Sequence, residues 1–391
     1  MKKRTTGRAP SSVSTKNRLA LWTRAGGRCE YAGCNEPLLG DLLSGKETLN
    51  KAFIAHIVAA APDGPRGHSE LSHALADDLS NLMLLCHPHH RLIDIEDEAE
   101  HGVARLQAMK LAHEDRIAMV TGIDASRGTH LLHYAARIGE HDCLVSAVAS
   151  QNAVLPDRYP LERPISLELV GSDYRDDEQA YWELQIENLR RQYGLKVGER
   201  QRSGKLEHLT VFAIAPQPLL IELGRLLSDI ANVEVRQLTR EPKGWAWRPE
   251  QPAVDFVVTR GGEGPTSDVA LVLGVSASID DSRVTNVVGE VPIWRLSAAA
   301  PGNDVLARPE CAARFRTELR AILAAIKAAH GEAAKIHLFP ALPVALAVEV
   351  GRAWMPKADL PIVIYDQHRR SNGFTSRHCL ACDSPTLKQV A

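Results

Sequence analysis

Apolar positions in this chain fall into short strand-like runs and helical stripes, separated by polar turns. Residues 1–14 (MKKRTTGRAPSSVS) lack periodicity and read as a flexible basic tail. Lys16 to Ala25 then has a helical pattern with Leu19 and Trp22 as its apolar face, Ser14 or Thr15 as cap and Gly26-Gly27 as stop. Phe53 to Val58 predicts a strand, and Pro62-Asp63-Gly64-Pro65-Arg66-Gly67 is a strong turn signal. A helical period begins at His90, with Pro88 suited to the helix start, so the implied unit is two strands followed by a helix. Ile95, Leu106, Met109, Leu111, Ile117 and Met119 continue at helical spacing, and Gly122 to Gly128 reads as a hinge. The expected domains are therefore 15–122 and 130–391, joined by a linker at 123–129.

From His130 onward strand-like runs alternate with helices, which predicts an α/β class. This half contains a repeat: residues 208–227 and 335–354 align without gaps, each position matching the one 127 further on. Phe212 meets Phe339, Pro216 meets Pro343, Glu222 meets Glu349, Gly224 meets Gly351 and Arg225 meets Arg352. The same offset pairs Val233–Leu238 with Leu360–Tyr365, a strand after each helix. Two Rossmann-like halves, roughly 130–255 and 256–391, would set the turns Ala215-Pro216-Gln217 and Ala341-Leu342-Pro343 around one pocket. Strand carboxyl ends and helix N-termini favour a small anionic nucleotide there; the other reading is a duplicated scaffold without a ligand. Pro216, Gln217, Leu342, Pro343 and Tyr365 are the expected pocket residues, with Trp245, Trp247 and Trp354 as base-stacking platforms. Lys335 and Arg352 are either phosphate contacts or surface charges.

Length and charge add little to this division. The 391 residues suit two or three domains, and 46 Lys plus Arg against 48 Asp plus Glu announce no overall basic excess. Residues 1–60 are different, with ten basic against four acidic residues, either a phosphate-attracting face or a solvated tail. Met1 to Pro10 has no apolar core of a signal peptide, and no run reaches the roughly 18 apolar residues of a membrane span, so a soluble cytoplasmic protein is expected.

Seven cysteines in such a compartment point to metal binding rather than disulfides. Cys29 and Cys34 flank a Gly-containing knuckle, and Cys86 with His89 forms a second close pair, together a Cys3His set suited to structural zinc. The run Cys86-His87-Pro88-His89-His90 offers three histidines, and sequence does not prove which joins. Cys379-x-x-Cys382, beside His378, has no partner pair and reads as incidental.

Ala55-His56-Ile57, Gly64-Pro65-Arg66, and Asn81-Leu82-Met83-Leu84-Leu85-Cys86 followed by His89-His90 resemble the motif of a subgroup of HNH endonucleases, with the ββα-metal fold spanning residues 29–94. The resemblance implies His56 as general base for the attacking water and His90 as holder of Mg2+ or another divalent ion. Asn81 would fix the loop that aims His56, or touch that metal. Many HNH enzymes carry a metal-ligating acid or histidine where this chain has Ala55, so the metal is either held by fewer protein groups or recruits Asp63 or another loop acid. Arg66 is either a DNA phosphate contact or a solvated loop arginine.

Residues 130–391 resemble the SAVED domain, a fusion of two CARF-like units that senses cyclic oligonucleotides in CBASS-type antiphage systems. The whole resembles the CBASS HNH-SAVED effector nucleases. That family implies a DNase of double-stranded DNA, silent until a cyclic dinucleotide, first of all a cGAMP isomer, arrives from a partner nucleotidyltransferase (a CD-NTase) and drives assembly of a homo-oligomer. Two other readings compete: a restriction-type nuclease whose C-terminal half reads DNA, against which stands the lack of a basic stripe, and a zinc-stabilised nucleotide sensor without catalysis.

Overall fold

The computed structural model describes residues 13–41, 45–169, 172–228, 230, 232–368 and 373–380; Cys382 and all but the last two residues of the expected tail lie outside them. The chain divides into two units, Met1–Asp124 and Ala125–Ala391. The boundary falls within the stretch expected as a linker, but a 3-10 turn at Ala125–Arg127 and a strand from Gly128 already belong to the second unit.

In the first unit, α1 (Thr15–Arg24) is capped by the Ser14 hydroxyl, which accepts from the Asn17 amide. Its inward face differs from the expected one: Leu21 is fully buried while Leu19 is 69 % exposed. β1 (Leu39–Asp41) and β2 (Lys46–Asn50) form a hairpin. β3 (Ala52–His56) pairs antiparallel with β4 (Leu82–Cys86), His56 opposite Leu82 and Ala52 opposite Cys86, with the short α2 (Leu71–Ala74) between them. α3 (His87–Arg91) follows β4 directly and passes into a π-helical turn, Leu92–Glu96. This is the expected strand–strand–helix unit, and Leu82 to Leu85, Ile57 and Ile93 form its core with Leu21 and Leu38.

α4 (Val103–Thr121) closes the first unit. Of its expected apolar stripe only Leu106 is buried, and Leu111 and Met119 are exposed. Two polar residues point inward instead. Lys110 pairs with Glu114 and faces Glu30, and the His113 ring contacts the Ala25 carbonyl at the end of α1. A buried charge or imidazole is tolerated there because each has a partner.

The second unit holds two sheets. The first has order β6 (Tyr159–Pro160), β5 (Gly128–Ala135), β8 (Leu209–Ile214), β9 (Val233–Val235), with β7 (Ile165–Ser166) also on β5, all parallel. Helices α5 (Ala147–Ala153), α6 (Gln179–Tyr193), α7 (Glu199–Arg202) and α8 (Gln217–Leu226) belong to this half, and β10 (Thr239–Arg240) with β11 (Lys243–Gly244) forms a hairpin after it. The second sheet has order β12 (Phe256–Thr259), β14 (Ile293–Ala298), β13 (Asp268–Gly274), β15 (Lys335–Ala341), β16 (Ile362–His368), β17 (Gly373–Leu380). Its centre is parallel and both edges are antiparallel. α9 (Asp281–Val288), α10 (Pro309–His330) and α11 (Val344–Ala353) complete the half. Among the described residues no helix is long and apolar enough to cross a membrane.

The repeat is visible as structure. α8 and α11 occupy equivalent positions, each opened by a proline, Pro216 or Pro343, with nearly identical backbone angles. They pack backbone to backbone where both carry glycine. A Cβ on Gly224 would stand 1.9 Å from the Val348 carbonyl oxygen, and one on Gly351 would stand 1.9 Å from that of Ile221, the equivalent residue. Replacing Gly351 by alanine is therefore expected to push the helices apart and destabilise the second unit by about 1–3 kcal/mol, the usual cost of overpacking. Thermal unfolding of the variant measures this, and an unchanged midpoint would refute the close packing.

Candidate functional site

Two places in the chain gather chemically useful side chains, one in each unit. In the first, β4 ends at Cys86 and the single turn of α3 carries His89 back beside it. The knuckle supplies Cys29 and Cys34. The three sulfurs and a His89 ring nitrogen all lie within 4.8 Å of one another, with His89 Nδ1 at 3.1 Å from Cys86 Sγ and 3.8 Å from Cys29 Sγ. A tetrahedral zinc ion holds such ligand atoms about 3.5–3.8 Å apart, so the donor set fits that metal in both chemistry and spacing. Of the three histidines it is His89 that joins. The Tyr31 ring stacks on it at 4.1 Å and donates or accepts at His101, so the ligand ring is held from behind. Burial pushes the Cys29 and Cys86 thiols up and the His89 imidazolium down, which leaves the imidazole neutral and ready to ligate.

On the same β3–β4–α3 unit stand the residues expected for nuclease chemistry. His56 ends β3, half-buried, and its Nε2 lies 2.9 Å from the Ala76 carbonyl. A carbonyl only accepts, so Nε2 carries the proton and Nδ1 is left as the basic nitrogen. Asn81 is buried: its amide donates to the Val58 and Leu75 carbonyls and accepts from the Val58 N–H. It therefore fixes the segment just after His56. His90 Nε2 faces Asp94 Oδ2 at 3.5 Å.

Asp94 was not among the expected residues, although it lies one helical turn beyond His90, the spacing that puts two side chains on one face. It is the carboxylate beside His90, and Asp63, the loop acid expected in that role, is exposed.

Arg66 corrects another expectation. Its side chain is 6 % exposed and reaches inward, Nε to the Ile57 carbonyl, the two terminal nitrogens to the Ile93 carbonyl, the His56 carbonyl and, at 2.6 Å, the Asp94 carboxylate. It clamps the end of β3 to the turn after α3, with four of its five N–H groups bonded inside the protein, so it is neither a solvated loop arginine nor turned outward toward a DNA phosphate. Its backbone has φ +55°, a conformation that a non-glycine residue holds only when surrounding contacts demand it.

In the second unit the two repeated turns line one cavity of about 380 Å³, with Ala215, Pro216, Gln217 and Leu220 from the first half and Leu342 and Val344 from the second. The halves are stitched at this point. Gln217 donates to the Leu342 carbonyl at 2.8 Å, and the Ala345 N–H at the start of α11 donates to Gln237 Oε1. Gln217 Oε1 is buried and has no hydrogen-bond partner among the described residues. The remaining wall is charged: Arg175, Arg240 and Arg377 face Glu140, Asp176, Asp177 and Asp366. Sequence reasoning missed these charges, because they come from loops and strands far apart in the chain.

Pro216, Gln217 and Leu342 thus meet in the cavity, while Pro343 is the residue that opens α11. Tyr365 does not line it; its hydroxyl bonds His337 and its ring stacks on Phe339. Trp354 is a core residue bonded to the Leu360 carbonyl, Trp245 is buried, and Trp247 donates to Glu234. None of the three tryptophans lines the cavity as a stacking platform. Arg352 is buried and neutralises Glu349, and Lys335 pairs with Asp268.

Residues 189–378 match the family model of SAVED, the SMODS-associated and fused to various effectors sensor domain. Among solved structures, the Cap4 SAVED/CARF-domain containing receptor of Acinetobacter baumannii with the cyclic trinucleotide 2'3'3'-cAAA is 14 % identical, with 80 % of this chain and 67 % of that chain covered and a TM-score of 0.42. The same receptor with 3'3'3'-cAAA gives 13 % identity at the same coverage and TM-score. The Cap4 SAVED/CARF-domain containing receptor of Moraxella osloensis is 13 % identical over 71 % of this chain and 57 % of that one, with a TM-score of 0.40. No curated protein matches the chain.

Proposed function

We propose that the SAVED domain of this chain receives a cyclic oligonucleotide in the cavity between its repeated turns, and that the first unit is an HNH-type, metal-dependent DNA endonuclease controlled by that ligand. The observation that carries the nuclease reading is the set His56, His90 and Asp94 on one strand–strand–helix unit, clamped by Arg66 and placed beside a Cys3His cluster. The observation behind the sensor reading is the SAVED match together with a cavity shared by both halves.

In this mechanism His56 Nδ1 takes the proton of the attacking water, while the bond from Nε2 to Ala76 keeps the ring in the required tautomer. Asn81 holds the backbone that aims it. His90 and Asp94, an imidazole and a carboxylate, would hold the divalent ion. When bound, that ion supplies charge stabilisation to the scissile phosphate and its leaving oxygen. Cys29, Cys34, Cys86 and His89 would hold structural zinc and keep α3 against β3 and β4.

The test is degradation of plasmid DNA by the purified chain across cyclic di- and trinucleotides, cGAMP isomers and cyclic triadenylates included, with and without magnesium. Cleavage is expected only with magnesium and a cognate ring. Cleavage without any ring would point to a DNA-reading restriction-type enzyme, and ring binding without cleavage under any condition would leave a sensor alone.

A further inference from the structure

The charged wall of the cavity poses a physical difficulty for the ligand just proposed. Each phosphodiester of a cyclic oligonucleotide brings a negative charge, yet three guanidinium groups in the lining face four carboxyl groups. Three of those acids have somewhere else to turn. Glu140 pairs with Arg175 and is exposed, Asp176 accepts the Gly139 N–H at 2.7 Å, and Asp177 is exposed. Asp366 is different. It lies half-buried on β16 in the cavity wall, facing Asp176 from the loop before α6, Tyr181 from α6, Arg377 from the neighbouring strand β17, and the backbone N–H of Gln367 on its own strand. Arg175 and Arg240 reach the same cavity from the loop before α6 and from β10, and α8 offers only the neutral Gln217 and Leu220. Burial, and then Asp176, push the Asp366 carboxyl up to about 7, and Arg377 offsets this only in part.

We propose that Asp366 meets the bound ring as a neutral carboxyl group that donates its proton to a phosphate oxygen, so that ligand binding takes up a proton from solvent. This inference rests on the cyclic-oligonucleotide reading of the cavity. A phosphate drawn in by Arg377 arrives beside Asp366. An ionised acid there would oppose it, whereas the neutral acid is a hydrogen-bond donor. The sign follows directly. A polyanion raises the affinity of Asp366 for its proton further, so binding is strongest at and below about pH 7 and weakens by up to about tenfold for each pH unit above it.

The test is calorimetric titration of the full chain with the rings of the panel, 3'3'-cGAMP and 3'3'3'-cAAA first, at pH 8 in two buffers of different ionisation enthalpy. Uptake of close to one proton per ring is expected, together with affinity that falls from pH 7 to pH 9. Asp366→Asn, an isostere that stays neutral and keeps a donor, is expected to bind at pH 9 at least as tightly as the wild type and to lose the pH dependence. Wild-type binding without proton uptake overturns the proposal and leaves the sensor reading standing, as does a pH slope that persists in Asp366→Asn. A chain that binds no ring at any pH overturns the sensor reading and this inference with it.

Discussion

DNA degradation by the His56→Ala chain is expected to fall by about 10²–10⁴-fold, the usual contribution of a positioned general base, even with saturating cyclic oligonucleotide and magnesium. The variant removes an imidazole whose Nε2 proton is pinned by the Ala76 carbonyl, which leaves Nδ1 as the basic nitrogen of the proposed mechanism. It leaves the zinc ligands, the β3–β4 pairing and Asn81 in place, because none of these uses the His56 side chain. Ring binding in the second unit should be unchanged, and zinc content should stay at that of the wild type. A His56→Ala protein that still degrades plasmid at the wild-type rate would remove His56 from the chemistry and with it the nuclease assignment.

The second large effect concerns the metal cluster. Structural zinc in small domains contributes about 10–16 kcal/mol of apparent binding energy at neutral pH, which is also folding energy. In the first unit Cys29 and Cys86 are themselves core residues, packed with Leu21, Leu38 and Leu82 to Leu85. Stripping the metal with a strong chelator, or replacing Cys86 by serine, is expected to open residues 13–124 to protease and to hydrogen exchange. The second unit has its own core and should keep its protection. The wild type should carry one zinc per chain by elemental analysis. A metal-free protein with full amide protection across β3 and β4 would show that the four ligands are not what holds the unit together.

The parts of this molecule that were legible in sequence are those in which one short segment carries its own signal. The gapless match between residues 208–227 and 335–354 led directly to α8 and α11, whose limits coincide under the same offset. Two close Cys/His pairs led to the cluster. The same repeat also held a warning about Arg352. Glu222 with Arg225 and Glu349 with Arg352 recur at a spacing of three, which on a helix pairs acid with base, and in both pairs the acid is buried. Arg66 was beyond such reasoning. Most of its bonds go to carbonyls at Ile57, Ile93 and His56, and a backbone oxygen leaves no mark in a sequence. The aromatic residues failed for another reason: Trp245, Trp247 and Trp354 are the right type for stacking on a base, but residue type does not state which way a side chain faces.

The glycine contact between α8 and α11 has a consequence for how such a duplicated domain can change. Gly224 makes room for a carbonyl of the other copy, and Gly351 returns the same room to the first. A mutation in either gene segment is therefore felt by the protein segment it did not alter. The copies are free to diverge at the cavity wall, where the first half contributes Glu140, Arg175, Asp176 and Asp177 and the second contributes Asp366 and Arg377. At their shared contact they must drift together or not at all, so the cavity wall can change while the seam between the two helices stays as it is.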